Sequence, residues 1–248
     1  MPATLITIHF SHFCEKARWA LDRAGVRYDE RAYLPGLHQL GTRSRGGRSV
    51  PLLVTPHGVL KQSTDIVKHA DMRAPREKKL YPDNDALRAE VEAFIADLDK
   101  HLGPASRLVA YHHMLERPAA LARLAGRAMT PVERWTFRAA LPMLNKPMRR
   151  FMRIDEASAA RAVDTVKRTF DDVSARLRDG RKYLFGDRFG AADIAFASLA
   201  SPSLLPPGHP HFASDMRDVP AELVPMIEEL RASDAGKFVA RMYAEERG

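Results

Sequence analysis

The stretch "HFSHFCEKARWALDRAG", residues 9–25, joins an apolar run to a helical pattern and decides how the fold begins. The apolar run, residues 4–10, is β-branched and aromatic and too short for a helix, so it predicts a strand. Beyond the junction, apolar residues recur at helical spacing until Gly25, a residue type that closes many helices. Ser11 and the only cysteine, Cys14, lie at this junction, where either could carry chemistry.

The residues that follow this helix continue the alternation of short strands and helices. A strand is predicted over 26–34, and the Gly-, Ser- and Arg-rich residues 35–49 predict an irregular connection. Two apolar segments, 50–54 and 59–61, flank a proline-containing turn and predict a hairpin. Ser63 is a candidate N-cap for the next helix, since a serine hydroxyl can accept an amide hydrogen bond there.

A change in composition divides the chain into two domains. Residues 77–85 are charged and proline-containing and predict a linker. It separates an α/β domain, 1–76, from a domain, 86–248, in which every periodic segment is helical. Within the second domain, the proline-rich residues 204–211 predict a stiff surface loop.

The composition is that of a globular protein with a moderate excess of positive charge. Of 248 residues, 39 are Lys or Arg and 31 are Asp or Glu, which gives a formal net charge of +8. Because most basic residues are interleaved with acidic ones, the charge indicates a solvated surface rather than a nucleic-acid partner. No apolar run is long enough to predict a membrane span. With a single cysteine and no basic, cleavable leader, a cytoplasmic location is expected.

The order of predicted elements resembles that of the glutathione S-transferase superfamily. The resemblance implies an α/β thioredoxin-like N-terminal domain followed by an all-α helical bundle domain, with glutathione as co-substrate. The segment "SHFCEKARWAL" is similar to the family's active-site turn, with Ser11 in the hydroxyl position and Phe13 in the aromatic position of the glutathione site. His12 stands where proline is common, so a less rigid turn is expected.

By this resemblance Ser11 is the catalytic residue, although glutathione supplies the nucleophile. A helix N-terminus carries unpaired N–H groups and a partial positive charge, which lower the pKa of a nearby thiol. Ser11 Oγ would donate a hydrogen bond to the glutathione sulfur and favour its thiolate. Cys14 is either a glutaredoxin-like thiol or a small buried apolar residue. The second interpretation is favoured, because serine occupies the outer position of the related Cys-x-x-Cys motif.

Two further segments contain glutathione-binding residues that the resemblance implies. In "SVPLL", Val50 and Pro51 match the family's cis-proline step, which exposes backbone groups to the cysteinyl part of glutathione. In "KQSTDI", Gln62 and Ser63 match the step that binds the γ-glutamyl carboxylate at a helix N-terminus.

A third matching segment, "LFGDRFGAADIAFASL", has a role in folding. The family usually has serine or threonine at the position of Gly190 and aspartate at that of Asp193, at the start of a buried helix. Asp193 can still accept backbone N–H groups, so this helix is expected to start with a weaker cap.

Two groups of residues complete the predicted site. A cation of the irregular connection should bind the glycyl carboxylate of glutathione, and the candidates are His38 and Arg48, with Arg43 and Arg45 behind them. The first helices of the second domain should line the electrophile pocket, with Tyr111, Met114 and Trp135 as candidates. The His and Glu residues of "YHHMLE" have no third ligand at metal-binding spacing, so no metal is expected.

These features predict a homodimeric, cytoplasmic glutathione transferase of the detoxifying kind, which conjugates glutathione to an electrophilic small molecule. Two alternatives stay open. One is a glutathione-dependent thiol transferase that uses Cys14, and the other is a non-catalytic ligand-binding or regulatory protein with the same fold.

Overall fold

A computed structural model describes residues 3–212 and 215–247. Its first part alternates strands with helices, as the sequence predicts, because short β-branched runs and helical periodicities follow one another along the chain. The strands and helices of this part are β1 (Ala3–Ile8), α1 (His12–Arg23), β2 (Tyr28–Tyr33), α2 (His38–Thr42), β3 (Leu52–Thr55), β4 (Gly58–Leu60) and α3 (Ser63–Arg73).

The four strands form one sheet in the order β2-β1-β3-β4. Strand β1 is parallel to β2 and antiparallel to β3, which is antiparallel to β4. Leu5 and Ile6 of β1 point to opposite faces of the sheet and are both fully buried, so both faces are covered. Since β1 is a central strand, the turn that follows it lies beyond the strand ends, near the middle of the sheet.

The second part is helical. No helix within 3–212 or 215–247 is both long and apolar enough to cross a membrane. Helix α9 is buried along its whole length and packs against α1, α4 and α5, so it forms the centre of the core. The helices of this part are α4 (Asp85–Lys100), α5 (Leu102–Met114), α6 (Pro118–Ala125), α7 (Pro131–Met152), α8 (Glu156–Leu177), α9 (Ala191–Leu204), α10 (Val224–Ala232) and α11 (Asp234–Glu245).

The connection predicted to be irregular, 35–49, contains more structure than its composition indicates. It includes helix α2 and a 3-10 turn, Arg43–Arg45, closed by Gly46 with a φ of +70°. The N-cap of α3 is Gln62 rather than Ser63, which is already inside the helix and buried. Gln62 has extended backbone angles and forms no side-chain capping bond, so backbone geometry alone sets this helix start.

Two residues of the predicted linker, Leu80 and Tyr81, pack into the core. The Asp71 carboxylate accepts both of their N–H groups, at 2.6 and 3.1 Å. The Leu80 carbonyl accepts the N–H of Ala191 at 2.9 Å. A Cβ at the neighbouring Gly190 would lie 2.8 Å from that carbonyl oxygen, which explains why glycine rather than a hydroxyl residue starts α9.

The prediction of a surface loop over 204–211 is wrong in part, because only Pro207 and Gly208 are exposed and the residues around them turn into the protein. His209 is 1% exposed and its Nδ1 accepts the N–H groups of His211 and Phe212. Arg231 donates to the carbonyls of Leu204 and Leu205 at 2.8 and 2.6 Å. Side-chain and backbone hydrogen bonds of this kind let an irregular proline-rich segment be buried.

Candidate functional site

A cavity of about 380 Å³ lies between the two parts of the molecule. The strand-to-helix turn, the α2 segment and Val50 form one side, and α5, α6, α7 and the segments around α10 form the other. Most of the side chains around it are apolar, and a few polar groups converge at the turn. An apolar cavity with a few convergent polar groups is the usual form of a small-molecule site.

Ser11 lies on this cavity and is the N-cap of α1. Its Oγ accepts the N–H of Cys14 at 3.4 Å, a long hydrogen bond, and the Ser11 hydroxyl proton is not used in that contact. The hydroxyl can therefore donate to a group in the cavity. The other N–H groups of the first turn of α1 add a partial positive charge at the same position.

Arg18 holds this turn against the sheet from within. Its guanidinium donates to the carbonyls of Ile8 and His9, at 3.3 and 3.1 Å, and to the Glu30 carboxylate at 2.6 Å. Arg18 is 2% exposed, and Glu30 is on the neighbouring strand β2. Since buried, multiply bonded arginines have little freedom, this network keeps the turn that carries Ser11 in place.

The sequence predicts a less rigid turn because His12 stands where proline is common, but the structure shows that His12 is held firmly. It is buried, and its Nε2 forms a 2.9 Å hydrogen bond with the Gly103 carbonyl at the start of α5. Burial, assisted by the charge of Arg107, lowers the pKa of His12 to about 3, so the imidazole is neutral and Nε2 is the donor. His12 thus ties the turn that carries Ser11 to the helical part.

Phe13 also lines the cavity, and its ring packs closely on the helical part. A Cβ at Gly103 would lie 2.5 Å from Phe13 Cζ, so the close contact between turn and helix requires glycine at that position.

Cys14 lies away from the cavity lining and is fully buried. Burial raises the pKa of its thiol above the ordinary value. A protonated, inaccessible thiol is a poor nucleophile. The geometry therefore agrees with the interpretation of Cys14 as a small core residue.

The structure brings together several of the residues expected to bind glutathione. Val50, His38 and Arg48 line the same side of the cavity as Ser11. The Val50–Pro51 peptide is cis, as predicted, and Pro51 itself is buried behind the lining. The Nδ1 atom of His38 accepts the Gly36 N–H at 3.2 Å, and burial lowers the pKa of this histidine.

Gln62 and Ser63 lie outside this cavity, at the N-terminus of α3. Gln62 is exposed and Ser63 is 5% exposed. Arg43 and Arg45, in the 3-10 turn, are also absent from the lining, and Arg45 donates to the Gly41 carbonyl at 2.8 Å.

The helical wall contains two of the three predicted electrophile-pocket residues. Tyr111 and Met114 of α5 line the cavity. Trp135 does not, because it lies on the outer side of α7 and is 72% exposed, while Phe137 and Leu141 face inward and are buried. The assignment of Trp135 to the pocket is therefore corrected by the structure.

Helix α7 closes one side of the cavity through contacts with the first domain. The Phe137 and Phe10 rings are 5.4 Å apart, and Glu133 lies 3.4 Å from the Nε2 atom of His9. Its C-terminal half adds apolar lining residues that the sequence did not single out, including Leu144, Met148 and Met152.

Arg107 is the charged lining residue that the sequence analysis missed, and Gln39 and Ser49 are uncharged polar lining residues that it also did not name. It lies four residues before Tyr111 on α5, a spacing that places both side chains on one face of a helix. This spacing relates Arg107 to Tyr111, but only the structure shows that this face of α5 meets the cavity.

Comparisons with known proteins agree with this architecture. A family model described as "Glutathione S-transferase, N-terminal domain" matches residues 5–78, and one described as "Glutathione S-transferase, C-terminal domain" matches residues 156–211. No curated protein sequence matches the chain.

Solved structures show the same fold over nearly the whole chain. The β-etherase LigF from Sphingobium sp. strain SYK-6 is 18% identical, with a TM-score of 0.61 over 96% of this chain and 98% of that one. Glutathione transferase F2 from Populus trichocarpa is 14% identical, with a TM-score of 0.55 over 98% and 99% of the two chains. A glutathione S-transferase from Methylobacterium radiotolerans, solved with glutathione sulfonate, is 16% identical, with a TM-score of 0.56 over 97% and 95%.

Proposed function

The chain belongs to the glutathione S-transferase superfamily, with a thioredoxin-like domain followed by a helical domain, and on this basis we propose that it conjugates glutathione to an electrophilic small molecule. The observation that carries the proposal is the position of Ser11. Its hydroxyl lies at the N-terminus of α1, on an apolar cavity between the two domains. This arrangement suits a bound thiolate on one side and an apolar reactant on the other.

In the proposed reaction the glutathione thiol loses its proton to solvent, and its sulfur attacks the electrophilic carbon. A C–S bond forms, and the leaving group departs with the electron pair of the bond that breaks. Ser11 donates a hydrogen bond to the sulfur, and the N-terminus of α1 contributes its partial charge. Both interactions are stronger with the thiolate than with the thiol, so they raise the fraction of the reactive form at neutral pH.

The remaining residues would orient glutathione beside Ser11. The backbone of Val50 would hydrogen-bond with the cysteinyl part of glutathione. Arg48 or His38 would bind its glycyl carboxylate. Gln62 and Ser63, at the N-terminus of α3, would reach the γ-glutamyl end where it extends out of the cavity. The Methylobacterium radiotolerans structure with glutathione sulfonate supports a glutathione site in this fold.

The thiol transferase alternative requires an accessible, acidic thiol. Cys14 offers neither, since it is fully buried and burial raises its pKa. The non-catalytic alternative differs from the proposal only in turnover, so kinetics must separate the two. A homodimer and a cytoplasmic location stay predictions.

The test compares Ser11→Ala with Cys14→Ser in the conjugation of glutathione to 1-chloro-2,4-dinitrobenzene. A hydrogen bond to a charged group is worth about 1.5–3 kcal/mol, so Ser11→Ala should lower kcat/KM by about 10- to 100-fold. Its pH–rate profile should also move to higher pH, because the bound thiol becomes less acidic. Cys14→Ser should keep the parent profile.

Unchanged conjugation in Ser11→Ala would refute the assigned role of Ser11. Calorimetry that shows glutathione binding to the parent protein, without conjugation of any electrophile tried, would support the non-catalytic alternative instead. Disulfide reduction that survives Ser11→Ala and disappears in Cys14→Ser would support the thiol transferase.

A further inference from the structure

The helical side of the cavity contains an arginine without an acidic partner. Arg107 of α5 is half-buried and lines the cavity. Within the described part of the chain it forms no hydrogen bond or ion pair, whereas Arg149 of α7 pairs with Glu116 at 2.8 Å. Partial burial of a cation among apolar side chains is unfavourable unless an anion or acceptor offsets it. Arg107 is therefore a cation that can form an ion pair with an anionic group of a bound ligand.

The charges around the cavity have one sign. Of the described lining residues none is Asp or Glu, and the formal cations are Arg48 and Arg107. His12, which lies close to Arg107, is neutral because its pKa is lowered to about 3. The cavity therefore presents a positive potential to any molecule that enters it.

The two cations lie on opposite walls and so can take different partners. Arg48 belongs to the first domain, on the side of Ser11 and Val50, where it is a candidate for the glycyl carboxylate of glutathione. Arg107 belongs to α5, on the wall that also contains Met114 and faces the lining residues of α7.

Tyr111 supplies a second donor next to Arg107. The two residues are four apart on α5 and both line the cavity. Burial raises the pKa of Tyr111 to about 12, so its hydroxyl keeps its proton and can donate a hydrogen bond. The guanidinium and the phenol together form a donor pair suited to the two oxygens of a carboxylate.

We propose that the second substrate is an apolar molecule with a carboxylate, which Arg107 binds with the help of Tyr111. The inference rests on the proposed function and specifies its substrate class. The apolar lining holds the body of the molecule, and Arg107 turns its carboxylate towards α5. The electrophilic carbon is thereby left facing the first domain, where Ser11 holds the sulfur. Arg107 is a binding residue for the substrate and takes no part in the bond changes.

The experiment uses two pairs of probes, and each pair is a carboxylate and its neutral amide of similar size and shape. The binding pair is 2-naphthoate and 2-naphthamide, measured by calorimetry on the glutathione-saturated protein. The reactive pair is 4-chloro-3-nitrobenzoate and 4-chloro-3-nitrobenzamide, from which the glutathione sulfur displaces chloride. The parent protein should prefer the carboxylate of each pair by about tenfold, the effect expected of one charged hydrogen-bonded contact at a half-buried site.

Arg107→Gln should abolish this preference while it leaves the KM for glutathione unchanged. Arg107→Lys, which keeps the charge without the bidentate geometry, should retain part of it. The matched control is Arg168→Gln, since Arg168 is an exposed arginine of α8 outside the cavity, and it should behave as the parent protein.

Equal binding of 2-naphthoate and 2-naphthamide by the parent protein would overturn the inference, and so would binding of neither. An intact preference in Arg107→Gln would also overturn it, and a higher KM for glutathione in the same variant would assign Arg107 to glutathione. If Arg107→Gln does not fold, the parent protein still tests whether the cavity prefers a carboxylate, and Arg107→Lys still tests whether that preference depends on Arg107. If the protein prefers the carboxylates through Arg107 but conjugates neither reactive probe, only the proposed function is refuted. If it conjugates both reactive probes equally well and binds 2-naphthoate and 2-naphthamide equally, only this inference is refuted.

Discussion

His12 makes the stability of the folded protein depend on pH in a way that can be calculated. Its imidazole is 3% exposed and bonded to the Gly103 carbonyl, and burial lowers its pKa from 6.5 to about 3. The folded protein keeps His12 neutral, whereas the unfolded chain takes up a proton below pH 6.5. The stability that depends on neutral His12 is therefore complete above pH 6.5 and is lost as the pH falls towards 3.

The size of this loss follows from the two pKa values. Within the window, each pH unit changes the free energy of unfolding by about 1.4 kcal/mol for one such group. Between pH 7 and pH 5 the contribution of His12 should fall by about 2 kcal/mol. His12→Gln keeps an N–H donor for the Gly103 carbonyl and does not titrate, so its loss of stability over this interval should be smaller by that amount.

Urea denaturation at pH 7 and pH 5, followed by tryptophan fluorescence, measures the free energy of unfolding of each protein. His57→Gln, in the exposed turn of the hairpin, is the matched control and should lose as much stability as the parent protein. His211, whose pKa burial also lowers to about 3, adds a loss that is common to all three proteins. If the parent protein and His12→Gln lose equal stability, His12 is not held as a buried neutral donor and the reasoning is refuted.

Two further predictions concern buried groups away from the cavity. Cys14 should react with iodoacetamide at least ~100-fold more slowly in the folded protein than in urea, because its thiol is buried and its pKa is raised. Rapid labelling of the folded protein would contradict this prediction. Asp193→Ala should lower the free energy of unfolding by about 2–4 kcal/mol in urea denaturation, because the buried N–H group of Leu184 and the N–H group of Gly190 lose their acceptor. Asp187→Ala, at an exposed position of the same segment, should have little effect.

Much of the architecture could be predicted from the residues because its signals are local. A short β-branched run followed by a helical periodicity specifies β1 and α1 and places Ser11 at their junction, where the structure shows it as the N-cap of α1. The cis Val50–Pro51 peptide agrees with what the resemblance of the short segment "SVPLL" to the family implies. Asp193 accepts the N–H groups that its spacing from Gly190 indicates.

Residues whose environment depends on distant parts of the chain were not predictable in this way. The sequence alone places His12 in a looser turn and residues 204–211 on the surface, yet His12 and His209 are buried by partners far away in the chain. Trp135 and Arg107 show the same limit, since helical periodicity gives relative positions on a helix but not which face meets the cavity.

The sequence by itself therefore determined the order of the elements, the turn that carries Ser11 and the superfamily, since each depends on residues close together in the chain. Only the tertiary structure decided that His12 joins the domains, that Cys14 is out of reach and that Arg107 faces the cavity. The physical reason is that burial and electrostatic environment are created where helices of one domain pack against the turn of the other.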